Sequence, residues 1–64
     1  MAKYLSIHRP ISIGTYPKVT GNNVLSIENF DDRKAVGEHM GWGVIEYETP
    51  LNPEVAIDYE LIKI

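Results

Sequence analysis

The feature that most constrains this chain is its length of 64 residues without a single cysteine. A chain this short can build only one hydrophobic core, so residues 1–64 are predicted to form one small domain. At this size the burial of apolar surface and the conformational entropy lost on folding nearly cancel. No disulfide is available to constrain the unfolded chain. We therefore expect a homo-oligomer, in which contact with an identical chain adds the stability that one core does not supply.

The composition predicts a soluble globular protein. Hydrophobic residues make up 44% of the chain and are spread evenly along it, which is not typical of disorder. No apolar run approaches the ~20 residues of a membrane span, and polar residues interrupt the segment after Lys3, where a signal peptide would continue. The lack of cysteine favours the cytoplasm. We predict a cytoplasmic protein that needs no membrane and no cofactor.

Alternation of apolar and polar side chains predicts several short strands. The predicted strands are residues 3–9, 24–28, 42–49 and 61–64, with a further short alternation through Ile11 and Ile13. Gly21 and the two asparagines that follow it are typical of a tight hairpin turn, because these residues tolerate positive φ. This turn would connect the first strands to residues 24–28.

Two helices are predicted between these strands. The first covers residues 29–41, where Asp31 can cap the first turn, Phe30 can pack as a hydrophobic staple and Gly41 can end the helix. Ala35, Val36, His39 and Met40 follow at helical spacing. The second helix covers residues 53–59, since Asn52 suits the N-cap and Pro53 suits the first helical position.

This order of elements predicts an α+β fold. It would hold a small antiparallel or mixed β-sheet of four or five short strands, with one or two short helices packed on one face. A small closed barrel is the alternative. Trp42 is the only tryptophan, and we expect it to lie at the centre of the packing rather than as an exposed contact residue.

Few residues suggest catalysis. Ser6 and His8 lie two apart on one strand, about 6–7 Å from each other, yet a catalytic triad also needs an acid and an oxyanion hole. Glu46 and Glu48 have a similar spacing, but a glycosidase needs a cleft that holds a sugar, which so short a chain scarcely offers. We interpret both pairs as exposed strand residues and predict that the protein is not an enzyme.

Metal and phosphate sites have equally little support. His39 lies near several acidic residues, but their spacing matches neither a zinc-protease helix nor a calcium-binding loop. The segment Gly41-Trp42-Gly43 lacks the spacing of a phosphate-binding loop. We interpret its glycines as the end of a helix and the entry of a strand, and we predict no metal ligand.

The charge is divided unequally along the chain. Residues 1–27 carry Lys3, Arg9 and Lys18 and no acid, whereas residues 28–64 carry three basic residues against nine acids, a net of −6. The simplest interpretation is that the two halves pair with each other in the fold. Two alternatives remain: a basic surface that binds nucleic acid through charge and stacking, and an acidic surface that binds a basic protein.

These observations predict a non-catalytic accessory or regulatory protein that acts through protein–protein contact and associates with itself. The candidate binding residues are Tyr4, His8, Arg9, Lys18 and Trp42. The alternative is a weak nucleic-acid-binding protein that uses the basic N-terminal strands. Three full charges give little counterion release, so nucleic acid is the less favoured partner.

Overall fold

A computed structural model describes all residues from 1 to 64. It contains four strands and one helix: β1 Ala2–Ser6, β2 Val24–Val36, β3 His39–Tyr47, α1 Pro53–Asp58 and β4 Leu61–Lys63. The strands form one sheet in the order β2-β3-β1-β4, and every neighbouring pair is antiparallel. The sheet is open, with β2 and β4 at its edges, and does not close into a barrel.

The predicted fold class is supported only loosely. The sheet is antiparallel and has four strands, as the alternation indicated, but β2 is 13 residues long. The fold is mostly strand, and its single helix has six residues. That helix and the strand after it are confirmed at residues 53–58 and 61–63. A helix of this length is far too short to cross a membrane, and the structure contains no longer one.

The predicted helix over residues 29–41 is wrong, because this segment forms most of a β-hairpin. β2 runs to Val36 and β3 starts at His39, so only Gly37 and Glu38 connect them. Gly37 has φ +62°, a conformation that suits the first central position of a tight hairpin turn and costs glycine little. The helical spacing of the apolar residues was therefore accidental, and Gly37 was the informative signal.

The acidic residues whose pattern is typical of a helix cap lie in a large irregularity of β2. Asn29 pairs with Gly43 and Lys34 with Gly41, so five steps along β2 match only two along β3. The residues between them bulge out of the ladder, which bends the hairpin. Phe30 is half-buried in this bulge. The ammonium of Lys34 lies over its ring, 5.4 Å from the ring centre. Asp31 thus caps no helix.

The core lies on the face of the sheet that α1 covers, called here the front face. Tyr4 of β1 and Tyr47 of β3 meet edge to face, with ring centres 6.1 Å apart and an interplanar angle of 82°. Edge-to-face contact suits the quadrupoles of two aromatic rings. The eight buried members of this cluster are Ala2, Tyr4, Ile11, Ile45, Tyr47, Leu51, Ala56 and Leu61.

Residues 7–23 form a long connection that also packs on the front face. The expected strand through Ile11 and Ile13 is absent: Ile11 is buried in the core, whereas Ile13 is 85% exposed. The turn near Gly21 is present, since Val19 bridges to Asn22 and Gly21 has φ +81°. No strand lies between β1 and this turn, so the turn is not the tip of a hairpin between two strands.

Two asparagine side chains attach this connection to the sheet. The amide of Asn29 accepts the N–H of Ile11 and donates to its carbonyl, both at 2.7 Å. The amide of Asn22 makes the same pair of bonds with the backbone of Thr49, both at 2.9 Å. Each side chain therefore substitutes for a β-bridge and satisfies backbone groups that would otherwise lack partners.

We expect Asn22→Asp to lower the free energy of unfolding by about 2–3 kcal/mol, because the new oxygen faces the Thr49 carbonyl and the buried bond is lost. Urea denaturation measures this change. Asn23→Asp is the matched control, since Asn23 is exposed and its backbone, not its side chain, makes its hydrogen bonds. Equal losses in the two variants would contradict the role of the Asn22 amide.

The opposite face of the sheet, called here the back face, carries a second apolar group. Leu5 of β1 pairs with Val44 of β3 and with Ile62 of β4, and its side chain is fully buried although it lies outside the front-face cluster. Trp42 lies two residues before Val44 and is only half-buried. The expected central role of Trp42 is therefore wrong. Tyr47 occupies that position, because the front face alone is covered by α1 and the long connection.

Candidate functional site

The main concave feature is a groove between α1, β1 and β4 on the front face, called here the α1–β4 groove. It has a volume of about 470 Å³. Its lining is mostly apolar and consists of Tyr4, Pro50, Leu51, Pro53, Ala56, Ile57, Leu61 and Lys63. Ile57 is 71% exposed and Lys63 is also exposed, so these two side chains form the accessible rim.

Local sequence signals build the α1 wall of the groove. The side chain of Asn52 accepts the N–H of Glu54 at 2.9 Å, and Pro53 stands in the first helical turn. Pro53 loses no hydrogen bond there, because the first N–H groups of a helix have no partner within it. The N–H of Leu51 donates to the hydroxyl of Tyr4 at 2.8 Å. The helix start is thereby fastened to β1, and the groove has a preformed wall.

A tight turn closes the other end of α1. Tyr59 caps the helix, and Glu60 follows with φ +58°, the only residue other than glycine with a positive φ. The N–H of Glu60 donates to the carbonyl of Ile57 at 3.0 Å. This turn brings β4 directly back beside the helix, so Ile57 and Lys63 lie on opposite walls of the groove.

Tyr4 was predicted as a binding residue, and the structure places it at the bottom of the groove. Its side chain is almost completely buried and its hydroxyl already accepts the Leu51 N–H. Tyr4 therefore shapes the groove and offers little surface of its own to a partner.

His8 and Arg9 form a second polar site at the end of β1. Arg9 Nη2 lies 2.6 Å from Glu60 Oε1, and His8 Nε2 lies 3.5 Å from Glu60 Oε2. All three side chains are substantially exposed, so such pairs contribute little to stability. The hydroxyl of Ser6 donates to the Arg9 carbonyl and is buried. The Ser6 hydroxyl therefore bonds to the backbone and His8 lies against Glu60, so the two do not form a hydrogen-bonded nucleophile and base.

Lys18 and Trp42 belong neither to the groove lining nor to the ion pairs with Glu60. Lys18 is exposed in the long connection, next to Pro17, whose carbonyl accepts the Tyr47 hydroxyl at 2.7 Å. Trp42 lies in β3, toward the bent end of the hairpin. Among the five predicted binding residues, Tyr4 lines the α1–β4 groove, and His8 and Arg9 share their contact with Glu60.

The buried phenol of Tyr47 has a raised pKa. Burial raises the pKa of Tyr47 from 10.0 to about 12, and the nearby Tyr16, Tyr59 and Tyr4 add smaller effects in the same direction. Desolvation disfavours the phenolate, and the neutral hydroxyl donates a hydrogen bond to the Pro17 carbonyl. This shift has a structural cause inside the core and does not mark a reactive group.

The remaining titratable residues include no group of three or more histidines and carboxylates arranged to hold a metal ion. Glu46 and Glu48 lie on β3 and just beyond it. Glu46 Oε1 accepts from the hydroxyl of Ser26 at 3.4 Å, and Glu48 Oε1 accepts from the N–H of Asn23 at 3.1 Å. Both carboxylates therefore bind neighbouring strand and turn residues.

Comparison with known proteins gives one match. Residues 1–64 match the model of the family described as defence against restriction A C-terminal. The chain belongs to that family. No curated protein and no solved structure matches the chain. Membership in the defence against restriction A C-terminal family supports a small accessory domain, and its description specifies no reaction, ligand or partner.

Sequence reasoning missed most of the groove in this member of the family. The sequence predicts that Ile57 lies in a short helix and Lys63 in the last strand. It indicates no functional role for either residue. One signal was present: Ile57 follows the inward-facing residue Ala56 directly, so it lies on a different part of the helix surface. Only the packing of α1 against β4 shows that this isoleucine borders a concave surface.

Proposed function

We propose that this domain acts in defence against restriction as a non-catalytic module that binds another protein through the α1–β4 groove. The observation that carries this proposal is an apolar groove with an exposed isoleucine at its rim, in a chain that belongs to this family. Protein interfaces typically have an apolar buried centre and a polar rim.

The lining favours a protein over a small molecule. Sites for small ligands combine an apolar pocket with a few convergent polar groups that orient the ligand. Here the polar groups of the lining are the Tyr4 hydroxyl, which already accepts the Leu51 N–H, and the ammonium of Lys63. An apolar side chain from a partner, flanked by a carboxylate, matches this arrangement better.

The state of Ser6 and His8 supports the non-catalytic part of the proposal. The Ser6 hydroxyl is buried and donates to the Arg9 carbonyl. His8 faces Glu60 at the surface, outside the α1–β4 groove. A nucleophile needs a base within hydrogen-bond reach, and this pair does not have that geometry.

The charge distribution gives less support to nucleic-acid binding. Arg9 is ion-paired with Glu60, and Lys3 stands directly opposite Glu46 in the β1–β3 ladder. Each of these cations has a carboxylate close by that competes with a phosphate. Lys18 lies on the long connection, and three cations of which two face a carboxylate give little counterion release.

We expect Ile57→Glu to reduce protection of unmodified DNA in a restricting host toward the level without the protein, because a buried carboxylate would face an apolar partner surface. The readout is the survival of that DNA in cells that express the full chain. Ile13→Glu is the matched control, since Ile13 is equally apolar, 85% exposed and lies in the long connection. Protection that is unchanged by Ile57→Glu would contradict the proposal.

A further inference from the structure

We propose that the partner in the α1–β4 groove is a second copy of this chain, so that the domain forms a twofold symmetric dimer. This inference rests on the proposed function, which makes the groove the contact surface. In such a dimer the same patch of each chain meets itself, and each α1 enters the groove of the other copy. A self-complementary patch must therefore carry both an apolar knob and a cavity that accepts it.

The patch carries both apolar parts. Ile57 is 71% exposed, the highest value for a large apolar side chain within the named strands and helix. The groove beside it is lined by apolar side chains and has a volume of about 470 Å³. An isoleucine at the rim of such a groove can insert into the groove of a symmetry-related copy while its own groove receives the partner's isoleucine.

The charges of the patch are complementary to themselves. Lys63 is the only charged side chain among the groove residues. Glu54 lies three residues before Ile57, so the two share one side of the helix. Glu54 is exposed and makes no ion pair within its own chain. A copy that inserts Ile57 therefore brings a free carboxylate to the cation of the groove, and the twofold axis repeats this pair.

The stability of so short a chain adds a reason for this association. With 64 residues and no cysteine, the terms for and against folding nearly cancel. Association of folded chains shifts the folding equilibrium toward the native state by mass action.

Sedimentation of the full chain from micromolar to near-millimolar concentration tests the proposal. We expect a mass that rises toward twice 7.2 kDa. Ile57→Glu should raise the dimer dissociation constant by about a hundredfold, as expected for a central apolar contact, whereas Ile13→Glu should leave it unchanged. A wild-type chain that stays monomeric throughout, or an Ile57→Glu variant that associates normally, would overturn the proposal. Circular dichroism confirms that each variant is folded.

Charge reversal gives a sharper test of the symmetric geometry. Lys63→Glu and Glu54→Lys each place like charges at both copies of the pair, so each variant alone should associate at least about tenfold more weakly. A mixture of the two variants restores an opposite-charge pair at both positions. We expect the mixture to form a heterodimer with affinity near that of the wild type. Absence of this recovery would exclude the proposed pairing.

The outcomes separate this inference from the proposed function. A monomeric chain whose protection of DNA still depends on Ile57 would refute the dimer and leave protein binding at the groove intact. A dimer that dissociates on Ile57→Glu without any loss of protection would retain the dimer and refute the proposed function.

Discussion

Gly41→Ala should destabilise the domain by about 2–3 kcal/mol, the upper part of the range for overpacking of a well-filled core. A Cβ on Gly41 would overlap Cδ1 and Cγ of Leu5 and would lie 2.9 Å from its Cδ2. Leu5 is fully buried, and in a close-packed interior such a side chain has little space into which it can move. The bent end of the β2–β3 hairpin can therefore lie against β1 only because residue 41 has no side chain.

A double-mutant cycle checks the cause of this effect. Leu5→Ala removes the three atoms nearest to the new Cβ, so the double variant should lose less stability than the sum of the two single variants. The free energies come from urea denaturation. Gly14→Ala serves as the control for the loss of a glycine, since a Cβ there meets nothing within 4 Å, although its φ of +93° makes some strain unavoidable. Strict additivity at Gly41 and Leu5 would contradict the proposed clash.

The second large effect concerns the dependence of stability on alkaline pH. Burial raises the pKa of Tyr47 to about 12 in the folded protein, while the unfolded chain has the ordinary value of 10.0. The folded state therefore holds this proton more tightly. The stability that this difference contributes is complete below pH 10 and is lost as the pH rises from 10 to 12. Since each unit of pKa shift corresponds to about 1.4 kcal/mol, the free energy of unfolding should fall by about 2–3 kcal/mol over this range.

Tyr47→Phe should separate this contribution from the titration of other groups. At neutral pH the variant should be less stable by about 1–2 kcal/mol, because the Pro17 carbonyl loses its buried donor. As the pH rises from 10 to 12, the stability curves of the wild type and the variant should converge and then cross. Tyr16→Phe is the matched control. This variant retains the Tyr47 hydroxyl, so its stability should still fall between pH 10 and 12 by nearly as much as that of the wild type. Parallel curves for the wild type and Tyr47→Phe would contradict the assignment.

Local signals predicted the C-terminal third of the fold well. Asn52 and Pro53 specify the start of α1 through capping and the fixed φ of proline, and both positions are confirmed. The alternation that begins near Trp42 correctly predicts a strand, although β3 starts earlier, at His39. These signals succeed because each depends only on residues close in sequence.

The hairpin of β2 and β3 shows where such signals fail. Residues 29–41 carry a good helix start and a helical spacing of apolar residues, yet they form a bulged strand, a turn and the start of another strand. Antiparallel pairing with β3 gives this segment backbone hydrogen bonds along the ladder, whereas an isolated helix would carry the cost of Gly37 in its interior. Tertiary pairing therefore outweighed local propensity.

The candidate site was predicted only in part. Of the predicted residues, Tyr4 alone lines the α1–β4 groove, and it lies at its bottom. His8 and Arg9 both contact Glu60. Glu60 lies 51 positions after Arg9 in the chain. No spacing in the sequence could indicate this contact, since it depends on β4 pairing with β1.

By itself the sequence determined that this protein has one small core, no disulfide, a short capped helix near its C-terminal end and an unequal distribution of charge, because these properties follow from composition and from neighbouring residues. The tertiary structure alone decided that β4 joins the edge of β1, that the long connection is fastened by asparagine side chains, and that an exposed isoleucine borders a groove with one cation. These features depend on the register of strands far apart in the chain. That register is set by which apolar faces can be buried together, and it is not a property of any single segment.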